Sequence, residues 1–445
     1  MNPTLSDYKT QELQGIETLP MSSGDWMIDR RLAALQRFET LGFPDRRSEA
    51  WRYTSVEALL KQGFVAPAKA QQRDRDHEIQ RHLLELAAVG RLVFIDGQFM
   101  AKLSVYPSEG VRVTSLRAAM ANGDRQVLEA VGSLSGLGDD GFAALNLAGF
   151  YDGAVIQIDP DIRLDAPMEL LHLSTAGAEG RKLPTRHLIL MGRGSKAELI
   201  ERFVSEDRQS RYFNHQVVEI SLAEQASLSH KRIQMESRQA YHLSDLHIAL
   251  QSKAEYSGVM ASMGGCWSRT FITNRFKQPD AHCELDGLYL VDDGQLADFH
   301  LDVDHQVPNC SSGETFKGIL RGSGRAVFDG LIQVGKGAQK SEAHLHNANL
   351  MLSRQAEVDT KPQLVILADD VVCSHGTSVG QLDDQAIFYL RSRGLDEQQA
   401  RALLCQGFLA EIVEKFEHQA LIESLNNHMN FVVSTETESS HESVG

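Results

Sequence analysis

The sequence is poor in the features that mark several classes of protein. Its 445 residues include five cysteines, an odd number without regular spacing, so no disulfide framework is expected. The formal net charge is −16, and no stripe of lysine and arginine is interleaved with aromatic residues. Phosphate backbones require a basic face, so nucleic acid is excluded as a primary partner.

Long apolar runs are also missing. No run approaches the roughly 20 residues that a membrane-spanning helix needs, so no membrane association is expected. The first residues, MNPTLSDYKTQ, contain neither the basic segment nor the apolar segment of a secretory signal. These two observations predict a cytoplasmic protein.

Residues 1–150 are predicted to form a mainly helical N-terminal region. Met27, Leu32, Leu35 and Phe38 recur at helical spacing in DWMIDRRLAALQRFETLGFP. A second amphipathic run, HEIQRHLLELAAVGR, leads into the strand-like LVFIDGQF. Trp51 is expected to anchor this region to the rest of the chain.

Residues 151–382 have the pattern of a β-structure. Short β-branched or leucine-rich segments such as GAVIQIDP, NHQVVEISL and DGLYLVDDG alternate with Gly, Asp, Asn and Ser. Several apolar positions recur at a spacing of about thirty residues: Leu188, Val217, Leu246, Leu288, Ile319 and Leu350. A regular period of short strands favours a parallel β-helix, with an antiparallel sandwich as the alternative.

Residues 383–432 are predicted to form a C-terminal helical domain. Gly394 is placed to end a first helix, and Asp396 and Gln399 form a capping box for the next. One face of that helix is expected to carry the apolar stripe Leu403, Leu404, Phe408, Ile412 and Phe416, which must pack on something. The polar tail, residues 433–445, is predicted to be disordered.

One segment matches most of a phosphate-binding loop. GLIQVGK, residues 330–336, has the glycines and lysine of that motif, but Gly337 stands where a serine or threonine should hold magnesium. The intervening LIQV is strand-like, whereas a phosphate loop needs exposed backbone N–H groups. This chain is therefore not expected to bind a nucleotide.

Cys373 and His375 form the best candidate site in CSHGTSV. Residues i and i+2 of a strand point to the same side, so the thiol and imidazole can approach one soft metal. Two ligands make an incomplete site, and the others must come from elsewhere, for example from another subunit. The pair His344 and His346, in contrast, fits the solvated face of a strand.

The chain as a whole resembles the SufD family of iron–sulfur cluster assembly proteins. The segments that carry the resemblance are EAWRYTS, FAALNLAGFYDG, HQVPNCSSGETFKGILRG and the specific combination CSHG…FYLRSRG. The resemblance implies a mainly β fold, in which a right-handed parallel β-helix core is flanked by N-terminal and C-terminal α-helical regions. It also implies a non-catalytic scaffold subunit of a SufBCD complex.

Further expectations follow from the resemblance. Cys373 and His375 correspond to the family's functional pair and would hold a transient, nascent cluster shared with SufB. The C-terminal helices would dock the ABC-type ATPase SufC through Leu403, Leu404, Phe408, Ile412 and Phe416. A reduced flavin is a candidate further component of the complex, and a homodimer is a candidate state without SufB. Cys310 and Cys405 are assigned to packing.

Two other functions compete with the scaffold. One is a stand-alone cytosolic metal-binding β-helix protein that uses His344, His346 and Cys373. The other is a β-helix carbohydrate-active enzyme with Asp302 and Asp304 as an acid–base pair. The second is disfavoured by an aromatic content of only 7% and by the missing secretion signal.

Overall fold

Two long sheets form the centre of the molecule. The computed structural model describes residues 25–66, 79–107, 110–136 and 140–434. Sheet I contains β1 (Gly90–Ile95), β2 (Gln98–Phe99), β5 (Met168–Ser174), β7 (Lys196–Ser205), β9 (Ser227–Met235), β11 (Glu255–Ser262), β13 (His282–Val291), β15 (Ser311–Leu320), β17 (Glu342–Met351) and β19 (Val372–Gly380). Sheet II contains β3 (Val111–Ser115), β4 (Ala154–Ile158), β6 (Lys182–Met191), β8 (Phe213–Leu222), β10 (Tyr241–Leu250), β12 (Trp267–Phe276), β14 (Leu296–His305), β16 (Arg325–Val334) and β18 (Glu357–Ile366).

The chain alternates between the two sheets, so each coil contributes one strand to each. From β4 onward, every strand pairs in parallel with the strand two places away, as β10 does with β8 and β12. The result is a parallel β-helix of about eight turns. This confirms the predicted β-helix, and the antiparallel sandwich is wrong because neighbouring strands run in the same direction.

Apolar side chains from successive coils fill the interior of the β-helix. Val218, Leu246, Ile272 and Leu301 occupy consecutive in-register positions on sheet II, and each is at most 1% exposed. Alternate residues along each strand point inward, and stacking equal positions buries each against its counterparts above and below. The coils therefore share one continuous core.

One corner of the coil repeats an unusual backbone conformation. Where the chain passes from sheet II back to sheet I, one residue in most coils has a positive φ. These residues are Asp161, Gly194, Gln225, Lys253, Asp280, Asn309 and Lys340. The left-handed region costs little for Gly and is tolerated by Asn and Asp, which accounts for part of the predicted punctuation by these residues.

The N-terminal helices cover the outer face of sheet II. They are α1 (Asp25–Leu41), α2 (Glu57–Leu60), α3 (Leu116–Ala121), α4 (Arg125–Ala130) and α5 (Gly141–Gly149). Phe38 and Leu145 are buried in a cluster that includes Leu188 of sheet II. Trp51 stacks on Trp267 with ring centroids 6.5 Å apart, which confirms its expected anchoring role.

The C-terminal helices cover the outer face of sheet I. They are α6 (Asp384–Ser392), α7 (Glu397–Glu414) and α8 (Gln419–Ser434). The predicted capping box at the start of α7 is present, with the side chain of Asp396 accepting from the backbone of Gln399 and the side chain of Gln399 accepting in return. Gly394 has a φ of +97°, as expected of a glycine that ends a helix.

The predicted boundaries and the observed elements differ in the first 150 residues. Sheet I begins at Gly90, inside the region predicted to be mainly helical, because β1 pairs in parallel with β5. Residues 81–89 do not form a regular helix: Leu83 packs with β1, whereas Leu84 and Leu86 pack with the C-terminal helices. A single apolar face of a helix could not contact both β1 and the C-terminal helices, so this segment is irregular instead. Of the predicted tail, Ser434 ends α8, and residues 435–445 lie outside the described residues.

Candidate functional site at the last coil

The last coil of the β-helix, formed by β18 and β19, is more exposed to solvent than the coils beneath it. β18 and β19 are the terminal strands of the two sheets, and within the described ranges each has one neighbouring strand, β16 or β17. Large apolar residues are exposed on and beside these strands: Val365, Ile366, Leu367, Val372 and Val379. A terminal strand presents unpaired backbone N–H and C=O groups, so this end of the β-helix can accept a further strand.

Cys373 and His375 lie on β19 and face the interior side of the coil. Cys373 is in register with Ala343, and His375 is in register with Leu345. Both partners are buried in the core, at 0% and 2% exposure. Cys373 is half-buried against that core and His375 is exposed, because no described strand covers them from above. The structure thus brings both candidate ligands to the open end of the interior.

The environment of Cys373 favours a protonated thiol. Burial raises the pKa of the Cys373 thiol, and the carboxyl of Glu314, in the interior two coils below His375, raises it further. A contact with the backbone of Ala343 acts in the opposite direction. A thiol must lose its proton to bind a metal, so an incoming soft metal ion would have to displace that proton.

The other predicted metal ligands do not join this pair. His344 and His346 on β17 are exposed and alternate with the buried Ala343 and Leu345, so they lie on the outer face of sheet I. His344 contacts the hydroxyl of Ser374 at 2.8 Å. The set His344, His346 and Cys373 is therefore wrong as a single metal site, because its members lie on opposite faces of one sheet.

Asp302 and Asp304 are held by an arginine. The guanidinium of Arg275 donates to Asp302 at 2.7 Å and lies 3.8 Å from Asp304. Two catalytic carboxylates must be open to the substrate, whereas Asp302 and Asp304 are both engaged by Arg275, and Asp302 also accepts from Gln333 at 3.0 Å. The geometry does not support the carbohydrate-active enzyme.

A second cluster of potential ligands lies deep in the interior. Atoms of His172, His187 and Glu201 all fall within 4.8 Å of one another. Arg232 donates to Glu201 at 2.6 Å, and His172 contacts the same carboxylate at 3.0 Å. These three residues were not predicted from the sequence, because they come from three different strands and share no local motif.

Two observations argue that this cluster is a structural network rather than a metal site. The backbone N–H of Ala154 donates to Nδ1 of His187 at 2.8 Å, so a neutral His187 carries its proton on Nε2 and has no lone pair there. The charge of Glu201 is balanced by Arg232, which would repel a cation. The paired charges and hydrogen bonds around Glu201 hold the three strands together in the core, although Nε2 of His187 has no hydrogen-bond partner.

The structure corrects the predicted apolar stripe on α7. Ile412 and Phe416 are both 0% exposed and pack on the outer face of sheet I, so they are not free to bind a partner. Leu404 and Phe408 are half-buried, and Leu403 is 47% exposed. The helix already uses one side to cover the β-helix, and only part of the stripe remains on the surface.

Two exposed aromatic residues on α6 were not predicted as partner-binding residues. Phe388 is 74% exposed and Tyr389 is 56% exposed, whereas the preceding Ile387 is buried. The apolar run AIFYL was a usable signal, because consecutive residues cover more than one side of a helix and cannot all pack inward. Phe388, Tyr389 and Leu403 together are named the C-terminal apolar residues below.

Comparison with known families gives this geometry a context. A family model described as "SUF system FeS cluster assembly, SufBD core domain" matches residues 173–408, and the "SufBD protein N-terminal region" matches residues 6–170. The chain belongs to the SufBD family. Within that family it is similar to SufD, and it is an iron–sulfur cluster assembly protein.

Three relatives illustrate how far the SufBD similarity extends. The iron–sulfur cluster assembly protein SufD of Escherichia coli is 32% identical over 394 residues, covering 87% of this chain and 88% of the relative. A SufBD family protein of Synechocystis is 30% identical over 440 residues, covering 96% and 95%. The chloroplastic protein ABCI7 of Arabidopsis thaliana is 30% identical over 396 residues, covering 87% and 82%.

None of the helices in the described part of this SufBD protein combines the length and apolar character required to cross a lipid bilayer.

Proposed function

We propose that this chain is a non-catalytic scaffold subunit of a SufBCD-type complex in which a nascent iron–sulfur cluster is assembled. The cluster is the cargo of the complex, and this chain supplies part of the site that holds it. The observation that supports the proposal most is the position of Cys373 and His375, which share the interior face of the last coil at its open end.

The donor set fits one side of a shared cluster site. Thiolate and imidazole are suitable ligands for iron–sulfur units, which take four protein ligands in their common forms. Cys373 and His375 provide two donors, and His344 and His346 point away from them. The remaining ligands would come from a SufB-like partner that covers the coil.

The open end of the β-helix fits a partner with a similar strand edge. Backbone pairing along β18 and β19 would extend both sheets, and the exposed Val365, Val372 and Val379 would be buried in the same contact. A SufB-like chain is the proposed partner. The same edge would pair with a second copy of this chain when SufB is absent.

The C-terminal region is proposed to dock a SufC-like ATPase. The residues available for this are the C-terminal apolar residues Phe388, Tyr389 and Leu403, which replace the buried Ile412 and Phe416 of the predicted stripe. Aromatic side chains are enriched in the energetically important parts of interfaces. Residues 330–334 lie in strand β16, so ATP binding is assigned to SufC and not to this chain.

Two further parts of the proposal rest on family resemblance. A reduced flavin is retained as a candidate component of the complex, without a binding site assigned on this chain. The chain is proposed to act in the cytoplasm.

Co-expression with SufB-like and SufC-like chains from the same source tests the scaffold. Size exclusion with light scattering should show a stable assembly near one SufB, two SufC and one of this chain. The isolated chain should show no turnover. A chain that remains alone in the presence of both partners would contradict the proposal.

Variants of the candidate ligands test the site within that complex. His375→Ala and Cys373→Ser should lower the iron and sulfide bound per complex without changing the subunit ratio, because His375 is exposed and serine nearly preserves the size of the half-buried Cys373. His346→Ala is the matched control, since this exposed histidine lies on the neighbouring strand but on the outer face. Equal cluster content in all three variants would contradict the assigned ligands.

A further inference from the structure

Three segments that are distant in sequence together line a cleft far from the last coil. It has a volume of about 410 Å³ and lies between residues 81–84, the strand ends and turns around Arg202 and Arg238, and helix α8 at His428. A second cavity of about 620 Å³ adjoins it and shares Arg208 and His428. Volumes of this size are typical of small-molecule sites.

Four arginines line the cleft: Arg81, Arg202, Arg208 and Arg238. The two that lie deeper are fixed in place. Arg202 donates to Glu169 at 2.7 Å and to the carbonyl of His82 at 2.9 Å, and Arg238 donates to Asp292 at 2.7 Å. A guanidinium has five N–H donors, so a single ion pair leaves Arg238 able to donate to a second anion.

The arginines on successive turns are held close together. The backbone N–H of Arg238 donates to the carbonyl of Arg208 at 3.2 Å, so equivalent turns of two neighbouring coils place these two residues next to each other. An anion bound between their side chains would be attracted by both positive charges. We name this cavity the arginine cleft.

Two imidazoles in the arginine cleft report a positive local potential. Burial lowers the pKa of His82, and the nearby charges of Arg202 and Arg81 lower it further. Burial likewise lowers the pKa of His428, with Arg208 and Arg238 as the next causes. Both rings are therefore neutral near pH 7 and can donate or accept a hydrogen bond.

The rest of the lining combines apolar residues, the polar Ser205, Gln295 and Ser424, and two carboxylates. Met235, Met263 and Leu290 provide an apolar wall. Glu206 is exposed, whereas the buried Glu236 accepts hydrogen bonds from Asn214 at 3.2 Å and Gln234 at 3.1 Å, so its carboxylate oxygens are already engaged inside the β-helix. The cleft thus offers both cationic donors and apolar side chains to a bound molecule.

We propose that the arginine cleft binds a small organic anion, with a phosphate or carboxylate group at the arginines and an apolar body against the methionines and Leu290. Planar guanidinium groups recognise both kinds of anion through paired hydrogen bonds. A bound anion would also connect α8 and residues 81–84 to the β-helix. The site does not involve Cys373 or His375 and stands apart from the proposed cluster function.

Ligand-observed NMR titration of the full chain tests this proposal. The probes are phenyl phosphate and benzoate at millimolar concentration, with benzyl alcohol as the uncharged analogue. Saturable binding of at least one anion, and none of the alcohol, is expected. The anion that binds more tightly identifies the preferred group. Equal binding of the alcohol, or no binding of either anion, would overturn the proposal.

A charge-matched pair of variants locates the binding. Arg81→Gln/Arg208→Gln removes two exposed arginines of the cleft and should weaken anion binding at least about tenfold, as expected for lost charge-assisted contacts. Arg112→Gln/Arg125→Gln makes the same charge change on exposed residues outside the cleft and should alter it less than about twofold. Equal affinities of the two variants would place the anion elsewhere.

The imidazole of His428 provides a readout that does not depend on affinity. Because Arg208 lowers its pKa, the Arg81→Gln/Arg208→Gln variant without ligand should show a higher His428 pKa by NMR titration. Phenyl phosphate bound to the unmodified chain should also raise that pKa, since it adds negative charge nearby. An unchanged His428 pKa on saturation would overturn binding in the cleft.

Discussion

The two ends of the β-helix differ. At the N-terminal end, the antiparallel strands β2 and β3 pair with the first parallel strands, and helices α3 to α5 pack beside them. At the other end, no described strand covers β18 and β19. At the N-terminal, closed end, β2 and β3 pair with the edges of β1 and β4, so the first parallel strands are covered by the chain itself. The open end exposes apolar side chains together with a thiol and an imidazole. The terminal strands of a repetitive core can be covered by the chain itself or by a partner protein. The uncovered strands β18 and β19 are therefore where a partner is expected to bind.

The same contrast appears inside the β-helix at two buried glutamates. Glu201, in the N-terminal half, is surrounded by Arg232, His172 and Gln216, and its pKa is lowered despite full burial. Glu314, closer to the open end, has no described cation as a salt-bridge partner, and burial raises its pKa to about 8. The ion pair of Glu201 and Arg232 is expected to rigidify the N-terminal half of the β-helix. The unpaired Glu314 is expected to make the stability of the other half depend on pH.

The largest effect is expected from breaking the paired half. Arg232→Met leaves the carboxylate of Glu201 buried without its cation, which should destabilise the fold by about 3–5 kcal/mol. Urea unfolding followed by circular dichroism measures this. Arg193→Met breaks an exposed pair with Asp161 and should cost less than about 1 kcal/mol. Similar losses of unfolding free energy in both variants would show that the buried ion pair is no more important than the exposed one.

The next effect concerns the unpaired acid. The pKa of Glu314 is raised from 4.5 to about 8, so the folded chain keeps a proton that the unfolded chain has lost between these values. Stability from this group therefore falls as the pH rises from about 4.5 to about 8. Glu314→Gln, which resembles the protonated acid, should be more stable than the original chain near pH 8 by on the order of 2 kcal/mol.

The pH series itself provides the control for Glu314. Below pH 4.5 the original chain and Glu314→Gln should unfold at closely similar urea concentrations, because the carboxyl of the former is then protonated in both the folded and the unfolded state. Glu342→Gln changes an exposed carboxylate on the neighbouring strand and should leave the pH profile unchanged. A stability difference for Glu314→Gln that does not depend on pH would contradict the assignment.

A smaller free-energy change should still separate the two ends of the β-helix. Val379→Lys places a charge on exposed β19 and should weaken association with a SufB-like partner at least about tenfold, because lysine on an edge opposes strand pairing. Val105→Lys alters a similarly exposed valine near the closed end and should not change association. Light scattering of the co-expressed chains distinguishes them, and equal weakening would exclude the last coil as the interface.

The smallest effect tests the helices that follow the open end. Asp396→Ala removes the side-chain acceptor at the start of α7 and should lower stability by about 1 kcal/mol. Thermal unfolding of the chain measures the change. Asp384→Ala, in the first turn of α6 next to the capping residue Asp383, should have a smaller effect. An Asp396 variant as stable as the original would show that packing alone holds α7.

The repeat of about thirty residues predicted from the sequence is present, but only some of the predicted positions are in register in the structure. Ile319 and Leu350 are in-register neighbours on sheet I, as a repeat requires. Val217 instead pairs with Asp245, while Leu246 pairs with Val218. A shift of one residue moves a side chain from the outer to the inner face, and the sequence alone leaves that choice open when both faces are apolar.

Several local features could be predicted from the sequence alone: short strands separated by turn residues, the capping box at Asp396, and a thiol and an imidazole two residues apart on a strand. These depend on neighbours within a few residues. Tertiary structure decided that Ile412 and Phe416 are buried, that Arg232 neutralises Glu201, and that arginines from separate coils share one cleft. Such contacts join residues tens to hundreds of positions apart, so their geometry exists only once the coils have stacked and the helices have covered them.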